Sequence, residues 1–151
     1  VSTFEPVTAY YDGDSGGTQV VITSFGYLHA AGPEAHVTLD LRDLLRDPHV
    51  SPAMREMTGL DAAVRASVLR QPGADTLLST TAALATTLVH QLDPHSKIAF
   101  VAVGCAGGRH RSVVVANELA NTLAAANFTV ELIHRDILRP VVHRTTSDEE
   151  A

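Results

Sequence analysis

The sequence predicts an α/β domain, a three-layer sandwich built on a small, mainly parallel, four-stranded sheet. Three observations carry that prediction. Short β-branched apolar runs recur near residues 19–25, 35–40, 97–104 and 128–134. Between them lie longer stretches, at 58–70, 75–92 and 111–126, with apolar residues three and four apart. Strands that alternate with helices bury their apolar surfaces best in a layered parallel sheet. The third observation is Gly104-Cys105-Ala106-Gly107-Gly108-Arg109-His110-Arg111-Ser112, which leads from an apolar strand through a glycine corner into a helix.

Each element has a local reason. Residues 1–18, with Asp12-Gly13-Asp14-Ser15-Gly16-Gly17, read as a flexible N-terminal segment. Gln19 to Phe25 is β-branched and short, a strand. Gly26 to Pro33 is a loop whose small residues permit a helical turn, and Ala35 to Asp40 is the second strand. Leu41 to Met57 carries Pro48 and Pro52 without periodicity, which predicts a long ordered loop. Thr58-Gly59-Leu60-Asp61 matches a capping box, with a helix running to about Arg70 and stopping at Gln71-Pro72-Gly73. A second helix spans about Asp75 to Leu92, its buried stripe set by Leu77, Leu84, Leu88 and Leu92. Lys97 to Gly104 is the central strand, and the helix after the glycine corner buries residues 113, 116, 119, 120 and 123. Phe128 to His134 is the last strand. The α/β domain is thus residues 19–138, and residues 139–151 form an acidic tail.

Composition narrows the function. At 151 residues the chain suits one compact domain, and its core is aliphatic because tryptophan is absent. Cys105 is the single cysteine, so an intrachain disulfide is impossible, which suits a reducing cytoplasm. No apolar run reaches the ~20 residues that span a bilayer, and no signal peptide is visible. Opening at Val1 suggests a trimmed chain or a fragment. Net charge is −6, with Lys97 the sole lysine, which disfavours a general polyanion binder. Arginine clusters locally instead, at Arg109 and Arg111 and at Arg135, Arg139 and Arg144. That pattern predicts a focused anion site on an acidic body.

The glycine corner is where that site falls. Helix starts leave backbone N–H groups unpaired, and the helix dipole adds positive potential there. Gly107 and Gly108 let those amides approach a ligand closely. Arg111 is expected to fork onto phosphate oxygens and Ser112 to donate its hydroxyl. A plain strand-to-helix turn with surface arginines is the simpler alternative. Cys105 to Arg111 also has the Cys-x5-Arg spacing of cysteine-dependent phosphatases, in which a thiolate attacks phosphorus. That alternative needs a general acid, for which Asp40, Asp43 and Asp47 are the candidates, and a small buried cysteine is the simpler reading. Asp40 and Arg42 end the second strand, as sugar and phosphate contacts or as a surface ion pair. His49 lies in the long loop, and the helix start at Thr58 and Gly59 can point N–H groups into the same cleft. His134-Arg135-Asp136 lacks the other kinase motifs and is not read as catalytic, though Arg135 is kept as a phosphate contact. The histidines lack zinc spacing and no Gly-x4-Gly-Lys-Ser/Thr occurs, so neither a metal nor a cofactor is expected.

Taken together, several blocks resemble the C-terminal domain of the RapZ family, the RNase adapter proteins. They are Ser24-Phe25-Gly26, Asp40-x-Arg42, Asp47-Pro48-His49, Met57-Thr58-Gly59-Leu60-Asp61, the run from Gly104 to Val113 and His134-Arg135. The resemblance runs from about Val20 to Arg135. It implies an α/β domain that senses an amino-sugar phosphate, glucosamine-6-phosphate, without catalysing a reaction. It also implies small-RNA binding, presentation of that RNA to an endonuclease, and self-association. By the resemblance the pocket comprises Asp40, Arg42, His49, Met57, Thr58, Gly59, Cys105, Ala106, Gly107, Gly108, Arg109, His110, Arg111 and Ser112. Under the RNA-adapter reading His134, Arg135 and Arg139 are the candidate RNA contacts. The family's N-terminal nucleotide-binding domain is not in this sequence. The chain ends in Ser147-Asp148-Glu149-Glu150, where better-known members carry lysines and arginines. Three readings therefore stand: a sugar-phosphate sensor, an RNA adapter switched by that ligand, and a cysteine phosphatase.

Overall fold

The computed structural model describes residues 4–142. Most of the acidic tail, with Arg144, lies outside them. Five strands form one sheet: β1 (Val7–Tyr11), β2 (Val20–Gly26), β3 (Val37–Asp40), β4 (Ala99–Cys105) and β5 (Val130–His134). Three helices accompany them: α1 (Ala62–Leu69), α2 (Ala74–Leu92) and α3 (Arg111–Ala125). The strand order is β1-β5-β2-β4-β3, with β1 antiparallel to β5 and all other pairs parallel.

The sheet has five strands where the sequence predicted four. The extra one, Val7-Thr8-Ala9-Tyr10-Tyr11, comes from the segment read as flexible. Its alternating β-formers fit a half-buried strand, and Ala9 and Tyr11 pack on the core while Thr8 and Tyr10 are exposed. Five residues are too few for the alternation to stand out beside the glycine-rich turn that follows.

The architecture has two layers rather than three. One apolar cluster joins Val20, Ile22, Val101, Val103, Val130 and Leu132 of the sheet to residues of all three helices, including Val64, Ala85, Val89, Leu119 and Leu123. Topology explains this. The steps from β3 to β4 and from β4 to β5 cross the sheet in the same direction, and right-handed crossovers then place their helices on one face. The step from β2 to β3 runs the other way, but its connection, residues 27–36, contains no helix. The second face is therefore left partly bare, with Phe100 40% and Tyr10 69% exposed.

Helix α3 buries residues 113, 116, 119, 120 and 123, as predicted. Helix α2 buries Ala82, Ala85 and Val89 and leaves Leu84 exposed, so its stripe is rotated from the leucine row. Small residues let α2 approach its neighbours closely, and its leucines flank that contact. Helix α1 starts at Ala62, later than the capping box implied. Asp61 does reach back to the Thr58 N–H, at 2.8 Å, but residues 58–61 close a tight turn before the helix begins.

Candidate functional site

The site lies beyond the carboxyl ends of β2 and β4. The chain leaves β2 toward β3 on one side, and it leaves β4 toward β5 on the other. Open parallel sheets form ligand crevices at such reversals.

Two glycines set the geometry. A Cβ on Gly26 would lie 2.4 Å from the carbonyl carbon of Gly107 and 2.5 Å from the Gly108 nitrogen. Gly108 itself has φ +71°, and a Cβ there would meet the Gly26 nitrogen at 2.6 Å. The end of β2 and the glycine corner therefore touch backbone to backbone. Gly107, by contrast, has open space where a side chain would be. The Gly108 N–H donates to the Cys105 Sγ at 3.3 Å. The N–H groups of Ala106, Gly107, Arg109 and His110 donate to no acceptor among the described residues. This is a nest of unpaired amides at the start of α3.

The arginines do something different from what the sequence predicted. Arg111 is 3% exposed. Its Nη1 donates to the carbonyls of Leu41 (2.8 Å), Arg42 (3.1 Å), Leu44 (3.2 Å) and Leu45 (3.3 Å). Its Nη2 pairs with the Asp47 carboxylate at 3.1 Å. The expected fork onto phosphate is thus committed to the loop after β3, because that loop turns several carbonyls inward and they need a donor. Arg109 donates to the carbonyls of Ile137 (3.2 Å) and Arg139 (3.3 Å), and also to that of Glu56. The two side chains brace the flanking segments and leave the amides unpaired.

A cavity of about 20 Å³ opens beside the nest, lined by Leu28, Asp47, His49, Cys105, Gly107, Arg109, His110, Arg111, Val141 and Val142. Of the sequence-predicted pocket, His49, Cys105, Gly107, Arg109, His110 and Arg111 meet there. Ser112 is fully buried, its hydroxyl 3.1 Å from the Cys105 sulfur, and it does not line the cavity. Asp40 and Arg42 pair with each other at 2.7 Å, with Arg42 lying 3.8 Å over the Tyr27 ring, and neither lines the cavity. The Arg42 hydrogen bonds hold the Asp40 carboxyl below its ordinary range. Met57 and Thr58 also stand outside the cavity. Gly59 donates its N–H to the Arg109 carbonyl at 2.8 Å, and a Cβ there would press on Val113 at 2.7 Å. Gly59 thus supports the corner from behind.

His110 is buried and its Nε2 sits 3.1 Å from the Met54 carbonyl. Burial lowers its pKa, against a weaker opposing pull from Asp47. Burial lowers His29 as well, with the charge of Asp136 pulling the other way. Near neutral pH both rings are uncharged, so positive potential at the site comes from amides, the helix start and the two arginines.

His134 is 3% exposed, with Nδ1 2.7 Å from the Ser24 hydroxyl. β5 points it into the core, away from the surface where an RNA contact was expected. Asp136 is fully buried and accepts the Gly26 N–H at 2.8 Å, Arg135 at 2.9 Å and Arg139 at 2.8 Å. Burial alone would raise its pKa, but Arg135, the Gly26 N–H and Arg139 together hold it below the ordinary value. Arg135 also donates to the Ala30 and Ala31 carbonyls. Asp136 thus anchors the end of β2 against the glycine corner. Sequence reasoning missed it, although the His-Arg-Asp triplet was the available signal. Leu28, Val141 and Val142 carried no signal at all. Of the three candidate acids for thiolate chemistry, Asp40 and Asp47 are both bound to arginines. Among the described residues no cluster of His, Cys, Asp and Glu is placed to hold a metal ion. No described helix is long and apolar enough to cross a membrane.

A family model described as the RapZ C-terminal domain matches residues 18–138. A nucleotide-binding protein of Acidothermus cellulolyticus is 37% identical over 139 residues, covering 88% of this chain and 44% of that protein. One from Rubrobacter xylanophilus is 40% identical over 128 residues, covering 82% of this chain and 42% of that protein. Another, from Thermus thermophilus, is 39% identical over 132 residues, covering 87% of this chain and 47% of that protein. The chain spans less than half the length of these curated relatives. Fold, glycine corner and these matches agree: the chain belongs to the RapZ C-terminal domain family.

Proposed function

We propose that this domain is a non-catalytic, regulatory sensor that takes the phosphate of a small phosphorylated molecule, foremost an amino-sugar phosphate, onto the amides between Cys105 and Arg111. One observation carries the reading. Four amides stand unclaimed beside a cavity at a helix start, while the arginines around them are occupied in holding the walls. Unpaired donors at such a place are matched by anion oxygens. Asp47 and His49 at the cavity rim supply polar partners for the non-phosphate part.

Thermal shift across glucosamine-6-phosphate, glucose-6-phosphate, glucosamine, inorganic phosphate and nucleotides tests it. A ligand at 100 times its dissociation constant adds about 2.7 kcal/mol. Sugar phosphates should stabilise and unphosphorylated glucosamine should not; a flat response removes the reading. Nucleotides belong in the panel because the relatives are named nucleotide-binding proteins, though each is more than twice the length of the matched region.

Small-RNA binding and delivery to an endonuclease belong to the same proposal as a property of the longer protein. In this chain Arg135 and Arg139 are paired with Asp136, and the net charge of −6 supplies little general attraction for RNA. Self-association is supported by the bare sheet face carrying Tyr10 and Phe100, and sedimentation analysis measures it.

A further inference from the structure

Two of the residues lining the cavity are apolar and come from the segment after β5. Val141 and Val142 line it together with Cys105, Gly107 and Arg111. The space they leave, about 20 Å³, suits roughly one water. A hexose phosphate has many more atoms than that space can take. An anion there would also lose hydration against two valine side chains, which offer it no hydrogen bond.

The segment is anchored up to a definite point. The Arg139 N–H donates to the Asp136 carbonyl at 3.1 Å, its Nε donates to the Asp136 carboxylate at 2.8 Å, and its carbonyl accepts from Arg109 at 3.3 Å. Pro140 then lacks an N–H. No backbone hydrogen bond ties Val141 or Val142 to the described residues. Both are apolar side chains that border the cavity.

We infer that Val141 and Val142 form a plug that occupies part of the ligand's place, so that binding of a phosphorylated ligand displaces these two residues. This rests on the sensor reading above and adds its output. The glycine corner and Arg139 stay fixed while Val141 and Val142 are either docked or released. Ligand occupancy at the amides thereby becomes exposure of Val141 and Val142, with no catalytic step.

Hydrogen exchange read by mass spectrometry on the full chain, with and without glucosamine-6-phosphate, tests both parts. Slower exchange at 106–112 with faster exchange at 141–142 is the expected result. Slower exchange at 106–112 with unchanged or slower exchange at 141–142 overturns the plug and leaves the anion site standing. No change at either span overturns the site and the plug with it. A chain ending at Arg139 supplies the second readout. It should bind glucosamine-6-phosphate several-fold more tightly than the full chain, because the competing segment is gone. Equal or weaker binding, in a truncated chain that unfolds cooperatively, overturns the plug.

Discussion

Arg111 and Asp47 form an ion pair at 3.1 Å, with side chains only 4% and 15% exposed. The pair joins the first turn of α3 to the loop after β3. Four carbonyls of that loop converge on the other arm of the same guanidinium. A residue that the sequence marked as a ligand contact is therefore the keystone of the cavity wall.

Replacing Arg111 should consequently cost stability before it costs binding. Removing one member of a buried pair typically costs about 3–5 kcal/mol. Arg111→Ala should fall in that range by urea unfolding. Arg111→Lys should recover only part of it, because an ammonium cannot reach both the carboxylate and the spread of carbonyls. A loss under about 1 kcal/mol for Arg111→Ala would contradict the role.

The glycine corner makes a paired prediction. Gly26→Ala forces a Cβ into the Gly107 backbone, which cannot rotate away as a side chain can. Overpacking of this kind costs about 1–3 kcal/mol. Gly107→Ala meets nothing within 4 Å and should leave thermal stability nearly unchanged. Equal losses for the two variants would refute the backbone crossing.

Acid should weaken the fold through His134. Burial drops its pKa to about 4. Between the ordinary value near 6.5 and that value, the unfolded chain binds a proton that the folded one does not. This contribution is complete above pH 6.5 and is lost as pH falls toward 4, by about 3 kcal/mol in all. His29 and His110 are lowered by burial and act in the same direction. Asp136, held below its ordinary value, loses its contribution only at lower pH still. Urea unfolding at pH 7 and pH 5 should show a smaller difference for His134→Gln than for the unaltered chain. An identical difference would place the acid sensitivity elsewhere.

Strand β1 should matter to stability. Deleting residues 1–12 exposes the edge of β5 and removes the packing of Ala9 and Tyr11 on the core. Burial of one large apolar side chain contributes about 1.5–3 kcal/mol. The deletion should lower the unfolding free energy by about 2 kcal/mol or more. An unchanged melting temperature would return this segment to the role of linker.

The sequence by itself determined the α/β class, four of the strands, the three helices and the glycine corner at the start of α3. Those features are local. Periodicity marks α3, β-branched runs mark β2 and β4, and the glycines at 107 and 108 coincide with a helix start, so no distant contact is needed to see them. Tertiary structure alone decided where the charged side chains went. Arg111 has five donors and reaches far, and whether it meets phosphate or the carbonyls of Leu41 and Leu45 depends on a loop about 70 residues away. The same holds for Asp136, which faces Gly26 from 110 positions along the chain. Layer number was also decided at that level, because it follows from the direction of each crossover between strands. Short-range pattern fixes what a segment is; the guanidinium and carboxylate partners are chosen only when the sheet brings its strand ends together.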